Sequence, residues 1–364
     1  MYCKYLLEGR VAQMELTAVA ARGTGKLWAE ENIRDNIVIF DDAKELMCSG
    51  LCEAVIIATP HYSHPELAIE AFEQGLHVLC EKPAGVYSKQ VRSMNEAAVQ
   101  SGLVFGIMFN QRTNSIYRKV YELVHSGELG AIKRVNWIAT NWYRTQAYYD
   151  NNGWRATWAG EGGGVLINQC PHNLDLLQWI CGMPTRVMAF CHNGKWHNIE
   201  VEDDVTAYLE FPGGATGVFV TSTGDAPGTN RLELTMEKGR IICEDDKLSL
   251  FLLDVNEREH CFTSPEPMKK PGGRYAEVET DGSNEQQIGV LKAFAGKIRY
   301  GTPLVAEGVE GIRELILSNA MYLSSWLGGP VELPFDEELF LEELNKRCSG
   351  SSYGKVSYRY KMNN

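Results

Sequence analysis

Two short segments of the chain carry side chains whose type and spacing suit proton transfer. His172 lies four residues after Asn168, and Asp175 follows three residues later. If a helix starts near Asn168, the amide and the imidazole project from one face. An imidazole with an ordinary pKa near ~6.5 accepts and returns a proton at neutral pH, which makes His172 the candidate general base. The alternative for His172 is a structural histidine capping the helix. Asp175 is placed either to orient the imidazole or simply to favour a helix N-terminus. In the second segment, Lys82 stands between Glu81 and Pro83, directly after the apolar run 76–80. Its backbone is therefore pinned at the carboxyl end of a buried strand, where ligands of open parallel sheets bind. His61 and His64 are three apart, but no third ligand joins them at a recognisable spacing, and no metal is expected.

The elements that must position these groups follow from periodicity. Apolar runs at 16–21, 37–40, 54–58, 76–80 and 104–109 read as buried parallel strands, continuous in hydrophobicity because helices cover both faces. Between them, 65–74 has helical spacing and stops at Gly75. Beyond residue 130 the pattern changes to alternation, at 133–142, 186–192, 205–211, 216–221, 231–236, 240–243 and 248–253. Gly213-Gly214 and Lys238-Gly239 are hairpin signals, so this half is a large, mostly antiparallel open sheet. Helices are expected at 112–126, 173–180, 286–300 and 308–326, and a mobile loop at 255–285. The fold class is α/β, a Rossmann-type parallel domain over 1–111 followed by an α+β domain over 112–364.

The chain has 364 residues, 44% of them hydrophobic, which is too apolar for disorder and too long for one small domain. With 35 basic and 47 acidic side chains the net charge is -12, which argues against nucleic acid or an anionic membrane surface as partner. No run approaches the ~18 apolar residues of a bilayer span, and the N-terminus has no basic-then-apolar leader pattern. A cytoplasmic protein is expected. Its ten scattered cysteines form no C-x-x-C pair and read as free thiols.

A parallel βα unit invites a search for a G-x-G-x-x-G turn, and none is present. Gly23-Thr24-Gly25-Lys26 imitates two of its glycines, yet it follows what would be the second strand of such a unit and reads as a βα turn. Residues 1–13 read as a helix already under way, with no strand before it. The expectation is a chain that lacks roughly the first 10 to 20 residues of the functional protein, its first strand and glycine loop.

Three segments then carry a resemblance. They are Ala58-Thr59-Pro60-His61-Tyr62-Ser63-His64-Pro65, Gly75-Leu76-His77-Val78-Leu79-Cys80-Glu81-Lys82-Pro83, and the stretch from Gly162-Gly163-Gly164 through Asn168, His172 and Asp175. In this order and spacing they resemble the Gfo/Idh/MocA family, the glucose-fructose oxidoreductase and inositol dehydrogenase-like enzymes. The similarity extends to Gly301-Thr302-Pro303-Leu304 and Asn319-Ala320-Met321-Tyr322.

The resemblance implies a nicotinamide-binding domain, a substrate domain whose open sheet supports a homo-oligomer (dimer or tetramer), and hydride transfer to or from a secondary alcohol of a sugar, sugar derivative or polyol. It makes Lys82 the lysine that holds the reacting oxygen and leaves the proton to His172. One common family pattern has aspartate where Asn168 stands; an amide instead hydrogen-bonds the substrate hydroxyl. Cofactor contacts are expected from Arg22, Thr59, Pro60, His64, Glu81, Lys82 and Arg112. Because the strand ends Ala20-Ala21-Arg22 with no acid, the cofactor, NAD(P), leans to NADP. Arg112 also borders the substrate pocket, with Tyr143, Arg144, Tyr148, Trp154 and Arg155, whose aromatic faces and guanidinium groups suit a carbohydrate. Packing within the sheet and loops is the alternative for these aromatics. The rival functions are a non-catalytic dinucleotide- or sugar-binding regulator and an inactive truncated form.

Overall fold

The computed structural model describes residues 1–33, 36–151 and 153–353. Through residue 113 the order is α1 (Tyr2–Leu7), β1 (Ala18–Ala20), α2 (Thr24–Asn32), β2 (Val38–Phe40), α3 (Ala43–Cys48), β3 (Ala54–Ile57), α4 (His64–Glu73), β4 (His77–Cys80), α5 (Ser88–Ser101) and β5 (Phe105–Ile107). Next come α6 (Ser115–His125), β6 (Ile132–Ala139), α7 (Gln146–Asp150), α8 (Pro171–Cys181), β7 (Arg186–Asn193), β8 (Glu202–Glu210) and β9 (Thr216–Ser222). The chain continues with β10 (Asn230–Met236), β11 (Gly239–Glu244), β12 (Lys247–Leu253), α9 (Glu257–Thr263), β13 (Gly273–Ala276) and α10 (Gln286–Tyr300). It closes with α11 (Gly311–Leu327), β14 (Val331–Glu332) and α12 (Glu337–Gly350).

The chain divides into two compact units, one of residues 1–113 with 284–312, the other of 114–283 with the described residues from 313 onward. The sequence reading cut the chain once, after residue 111. Residues 284–312 return to the first unit because Val290, Leu291 and Phe294 of α10 bury against Leu79 and Met108. An apolar helix face is stable only where it finds such a partner.

In the first unit the described strands pair in parallel, β1 with β2 and β3 with β4 with β5, while a single antiparallel bridge joins Gly106 to Glu307. Val78, Leu79 and Cys80 of β4 are fully buried, as continuous apolar runs covered on both faces require. The described strands fall into a two-stranded and a three-stranded sheet. The helix expected over 1–13 is shorter: α1 ends at Leu7, Gly9 takes a positive φ of 66°, and Val11 folds back into the cluster around Leu79. Gly23 caps α2 at φ 55°, as a βα turn.

The second unit is built on a nine-stranded sheet in the order β13-β12-β11-β10-β6-β9-β8-β7-β14. Only β6 and β9 pair in parallel. The hairpin signals connect β8 to β9 and β10 to β11. Residues 255–285, expected to be a mobile loop, contain α9 and β13. The Asn256 side chain caps α9 by accepting from the N–H groups of Arg258 and Glu259, and β13 pairs with β12.

Candidate functional site

Parallel strands present their carboxyl ends on one edge, and in the first unit the candidate residues follow those ends directly. Past β4, the Glu81 carboxylate accepts from the Tyr2 hydroxyl and, at 2.9 Å, from the Lys82 N–H. Lys82 is half-buried. Past β3, Thr59 and Pro60 are exposed, and the Ser63 hydroxyl donates to Thr59 Oγ1 at 2.7 Å.

His64 is placed differently from a cofactor contact. It is 1% exposed, with Nδ1 2.8 Å from the Pro83 carbonyl and Nε2 2.7 Å from the Thr59 carbonyl. Its polar atoms fasten the loops after β3 and β4 to each other, while burial pushes its pKa down against the pull of the two carbonyls. Arg112 is also turned inward, 2.9 Å from Glu310 and over the Phe109 ring. Arg22, just past β1, is exposed, 2.6 Å from Asp42.

In the second unit, α8 starts at Pro171, which lacks an N–H and suits a first helical position. Asn168 therefore lies in the turn ahead of the helix, and the shared helical face expected for Asn168 and His172 is not formed. His172 is half-buried in the first turn of α8. Asp175, 1% exposed, accepts from Gln178 Nε2 at 3.0 Å.

The turn ahead of α8 gathers a polar knot. Tyr148 Oη accepts from Arg155 Nη1 at 2.9 Å, from Asn168 Nδ2 at 3.2 Å and from Gln169 Nε2 at 3.4 Å. The Glu161 carboxylate accepts from Asn168 Nδ2, lies 3.5 Å from Arg155 Nη1, and takes the Ala156 N–H at 2.6 Å. Ala156 is held at φ 54°, a strained value for a residue with a Cβ, and that hydrogen bond is what fixes it. The Trp154 ring lies under the Arg155 guanidinium at 4.7 Å. Of the expected substrate residues, Tyr148, Trp154, Arg155 and Asn168 are thus brought together, with Arg144 over the Tyr148 ring at 5.0 Å. Tyr143 is 49% exposed and outside the knot.

Glu161, Gln169 and Glu202 were not singled out from sequence. Glu202 is fully buried behind the glycine turn, accepting from the N–H groups of Gly164 and Leu166 at 2.9 Å each and from the Tyr322 hydroxyl at 2.7 Å. Burial lifts its pKa to about 7, against those three donors. The run Glu202-Asp203-Asp204, three acids opening an otherwise apolar alternating strand, was the available signal. Its neighbour Asp203 is equally buried and accepts from the N–H groups of Lys195, Trp196 and His197 at 2.9 Å each.

Comparison with known proteins places both units. Residues 4–109 match the oxidoreductase family with an NAD-binding Rossmann fold, and residues 117–242 match the GFO/IDH/MocA C-terminal domain. The 1,5-anhydro-D-fructose reductase of Ensifer adhaerens is 28% identical over 213 residues, 58% of this chain and 61% of the relative's length. The myo-inositol 2-dehydrogenase of Thermotoga maritima is 24% identical over 289 residues, 77% of this chain and 80% of the relative. Among solved structures, the WlbA dehydrogenase of Bordetella pertussis, in complex with NADH and UDP-GlcNAcA, superposes with a TM-score of 0.75 at 25% identity, covering 92% of this chain and 96% of that one. A parallel Rossmann-type unit joined to a large, mostly antiparallel sheet unit, with both family models matched in order, places this chain in the Gfo/Idh/MocA oxidoreductase family.

Proposed function

We propose that the protein is a nicotinamide-dependent oxidoreductase that moves a hydride between NAD(P) and a secondary alcohol of a sugar, sugar derivative or polyol. The observation that carries this reading is the knot of Tyr148, Arg155, Glu161 and Asn168 beside the first turn of α8. It offers fixed donors and an aromatic face, the recognition chemistry a polyhydroxylated ligand needs. The names of the relatives, a reductase of an anhydrosugar and a dehydrogenase of inositol, agree with it.

The donor set fits two ends of a dinucleotide. Thr59, Pro60, Glu81 and Lys82 follow β3 and β4, where a nicotinamide and its ribose would be held. Arg22 and Lys26 follow β1, the place for an adenosine ribose, and both are cations. They are balanced by Asp42 and Asp41, at 2.6 Å and 2.5 Å, on exposed ground where such pairs are weak and readily exchanged for a 2′-phosphate. This supports the lean to NADP. The described residues include no glycine-rich turn of the G-x-G-x-x-G type for the pyrophosphate.

When bound, the cofactor supplies the hydride acceptor or donor. The chain's part is the proton and the oxygen. His172 takes the proton from the substrate hydroxyl or returns it, Lys82 holds the oxygen on which charge develops, and Asn168 positions the same hydroxyl. Its ten cysteines are all unpaired, which suits a reducing cytoplasm, and no helix among the described residues is long and apolar enough to cross a membrane.

The test is turnover. Nicotinamide absorbance is followed with NAD and NADP across a panel of sugars and polyols, for the wild type and for Lys82→Met and His172→Ala. Turnover that both variants abolish while keeping the wild-type circular dichroism is the expected result; unchanged turnover in both rejects the assignment.

A further inference from the structure

Arg144 is an unbalanced cation on a rigid mount. Its N–H donates to the Thr223 carbonyl at 2.9 Å, and its carbonyl lies 2.9 Å from His197 Nε2. The other ring nitrogen of His197 is 2.9 Å from the carboxylate of Asp203, which is fully buried. Both sides of the Arg144 peptide are thus tied to the sheet. Its guanidinium donates through Nη1 to the carbonyls of Trp142 at 3.3 Å and Tyr143 at 2.9 Å, and lies over the Tyr148 ring at 5.0 Å. Arg112, Arg155 and Arg231 all have carboxylates within 4.0 Å. Among the described residues no carboxylate comes within that distance of Arg144, in a chain whose net charge is -12.

The hydroxyl beside it has an unassigned proton. A phenol oxygen has two lone pairs and one hydrogen. Arg155 Nη1 and Asn168 Nδ2 fill the lone pairs of Tyr148, and the Asn168 amide cannot be turned, because the same nitrogen donates to Glu161. A third donor, Gln169 Nε2, stands at 3.4 Å. With both lone pairs filled, the Tyr148 oxygen has only its hydrogen left to offer, to a ligand oxygen or to the buried Gln169 Oε1 if that amide turns over. Glu161 already balances Arg155, so the charge left to act on a ligand is that of Arg144.

We propose that the substrate carries an anionic group, a carboxylate or a phosphate on the sugar, held by the Arg144 guanidinium and the Tyr148 O–H. This rests on the sugar-oxidoreductase reading and narrows it to acidic sugars. An arginine with no internal counter-ion next to a phenol that still has its hydrogen to donate is a donor pair that a neutral hydroxyl uses poorly and an oxyanion uses fully.

The experiment is calorimetric binding to the full chain, without cofactor, of sugar acids (glucuronate, galacturonate, gluconate), sugar phosphates (glucose 6-phosphate) and their neutral parents. One anionic class is expected to bind about tenfold or more tighter than its parent, with an advantage that shrinks as salt is raised. Whether the acids or the phosphates lead identifies the anion. Arg144→Met removes the advantage, so that the charged sugar binds no tighter than its neutral parent, Arg144→Lys keeps part of it, and Tyr148→Phe lowers it. Equal binding of charged and neutral sugars, a preference that survives Arg144→Met, or no binding by any charged sugar overturns the proposal. Because turnover is not read, an Arg144-dependent anion preference without hydride transfer sinks the oxidoreductase reading alone. Turnover of neutral polyols with no such preference sinks this proposal alone.

Discussion

The Glu202 carboxylate and the Tyr322 hydroxyl meet at 2.7 Å directly behind the glycine turn that leads to Asn168 and α8. The same carboxylate holds the N–H groups of Gly164 and Leu166, so the turn is fixed by one fully buried ionisable group. Burial raises its pKa from the ordinary 4.5 to about 7. A carboxyl group whose folded pKa lies above its unfolded one contributes stability that is fully present below about 4.5 and is lost as pH rises through about 7. Denaturant unfolding of the wild type should therefore show stability falling across that window, by an amount on the order of 3 kcal/mol. In Glu202→Gln the slope over the same window should be flatter. A variant with the wild-type slope would show that Glu202 does not titrate there.

Gly163 is a glycine for reasons of space and backbone angle, Gly164 for reasons of space. Gly163 sits at φ 156°, and a Cβ there would fall inside the Tyr322 hydroxyl; one on Gly164 would fall inside the Glu202 carbonyl. Gly163→Ala should cost about 3 kcal/mol or more. Because the clash is with the hydroxyl, adding Tyr322→Phe should return part of that loss, a coupling visible in a double-mutant cycle. Strictly additive losses would place the strain elsewhere.

What the sequence made legible was what repeats along the chain. The five apolar runs became β1 to β5, and the alternating segments with their glycine turns became the large sheet, because burial on two faces or on one leaves a local pattern. What it hid was partnership at a distance. The return of α10 to the first unit depends on Leu79 and Met108, more than 170 residues away. Glu202 reaches back to Gly164, and nothing near either residue announces the other. The helix expected over 173–180 is α8, and the shared face of Asn168 and His172, conditional on a helix start near Asn168, is lost because α8 opens at Pro171. His64 and Arg112 read as ligand contacts by type, and only their carbonyl and carboxylate partners show that they work inward.

Asn168 departs from a common family aspartate, and Glu161 supplies a physical reason. The Asn168 Nδ2 donates to Glu161, itself 1% exposed. Asn168→Asp would set two carboxylates against each other out of water, which should destabilise the fold at neutral pH by about 1–3 kcal/mol. The loss should shrink on acidification, as one of the pair takes up a proton. Glu161→Gln in the same chain should remove the pH dependence, since an amide can donate to the new aspartate. Unfolding curves of the single and double variants between acid and neutral pH decide the matter. An Asn168→Asp variant as stable as the wild type would mean that Glu161 is not the reason for the amide.

The outward face of the large sheet carries the last expectation, that of a homo-oligomer. Register places Phe190, Thr206, Val220 and Ile138 in one row across β7, β8, β9 and β6, and Met188, Tyr208, Val218 and Asn136 in the next. Phe190 is 55% exposed on β7, Tyr208 42% on β8 and Ile138 40% on β6, which lies beyond β9. Neighbouring rows that each carry three apolar or aromatic side chains are more than the scattered exposure that water tolerates, and a second copy of the same face would cover them. Light scattering coupled to gel filtration should find a dimer or tetramer. Phe190→Asp with Tyr208→Lys should shift it toward monomer, since two copies of the face would then bury four charges between them. Both side chains project away from the core, so circular dichroism should stay unchanged. A monomeric wild type at micromolar concentration, or an oligomer indifferent to the two substitutions, would move the interface off this face.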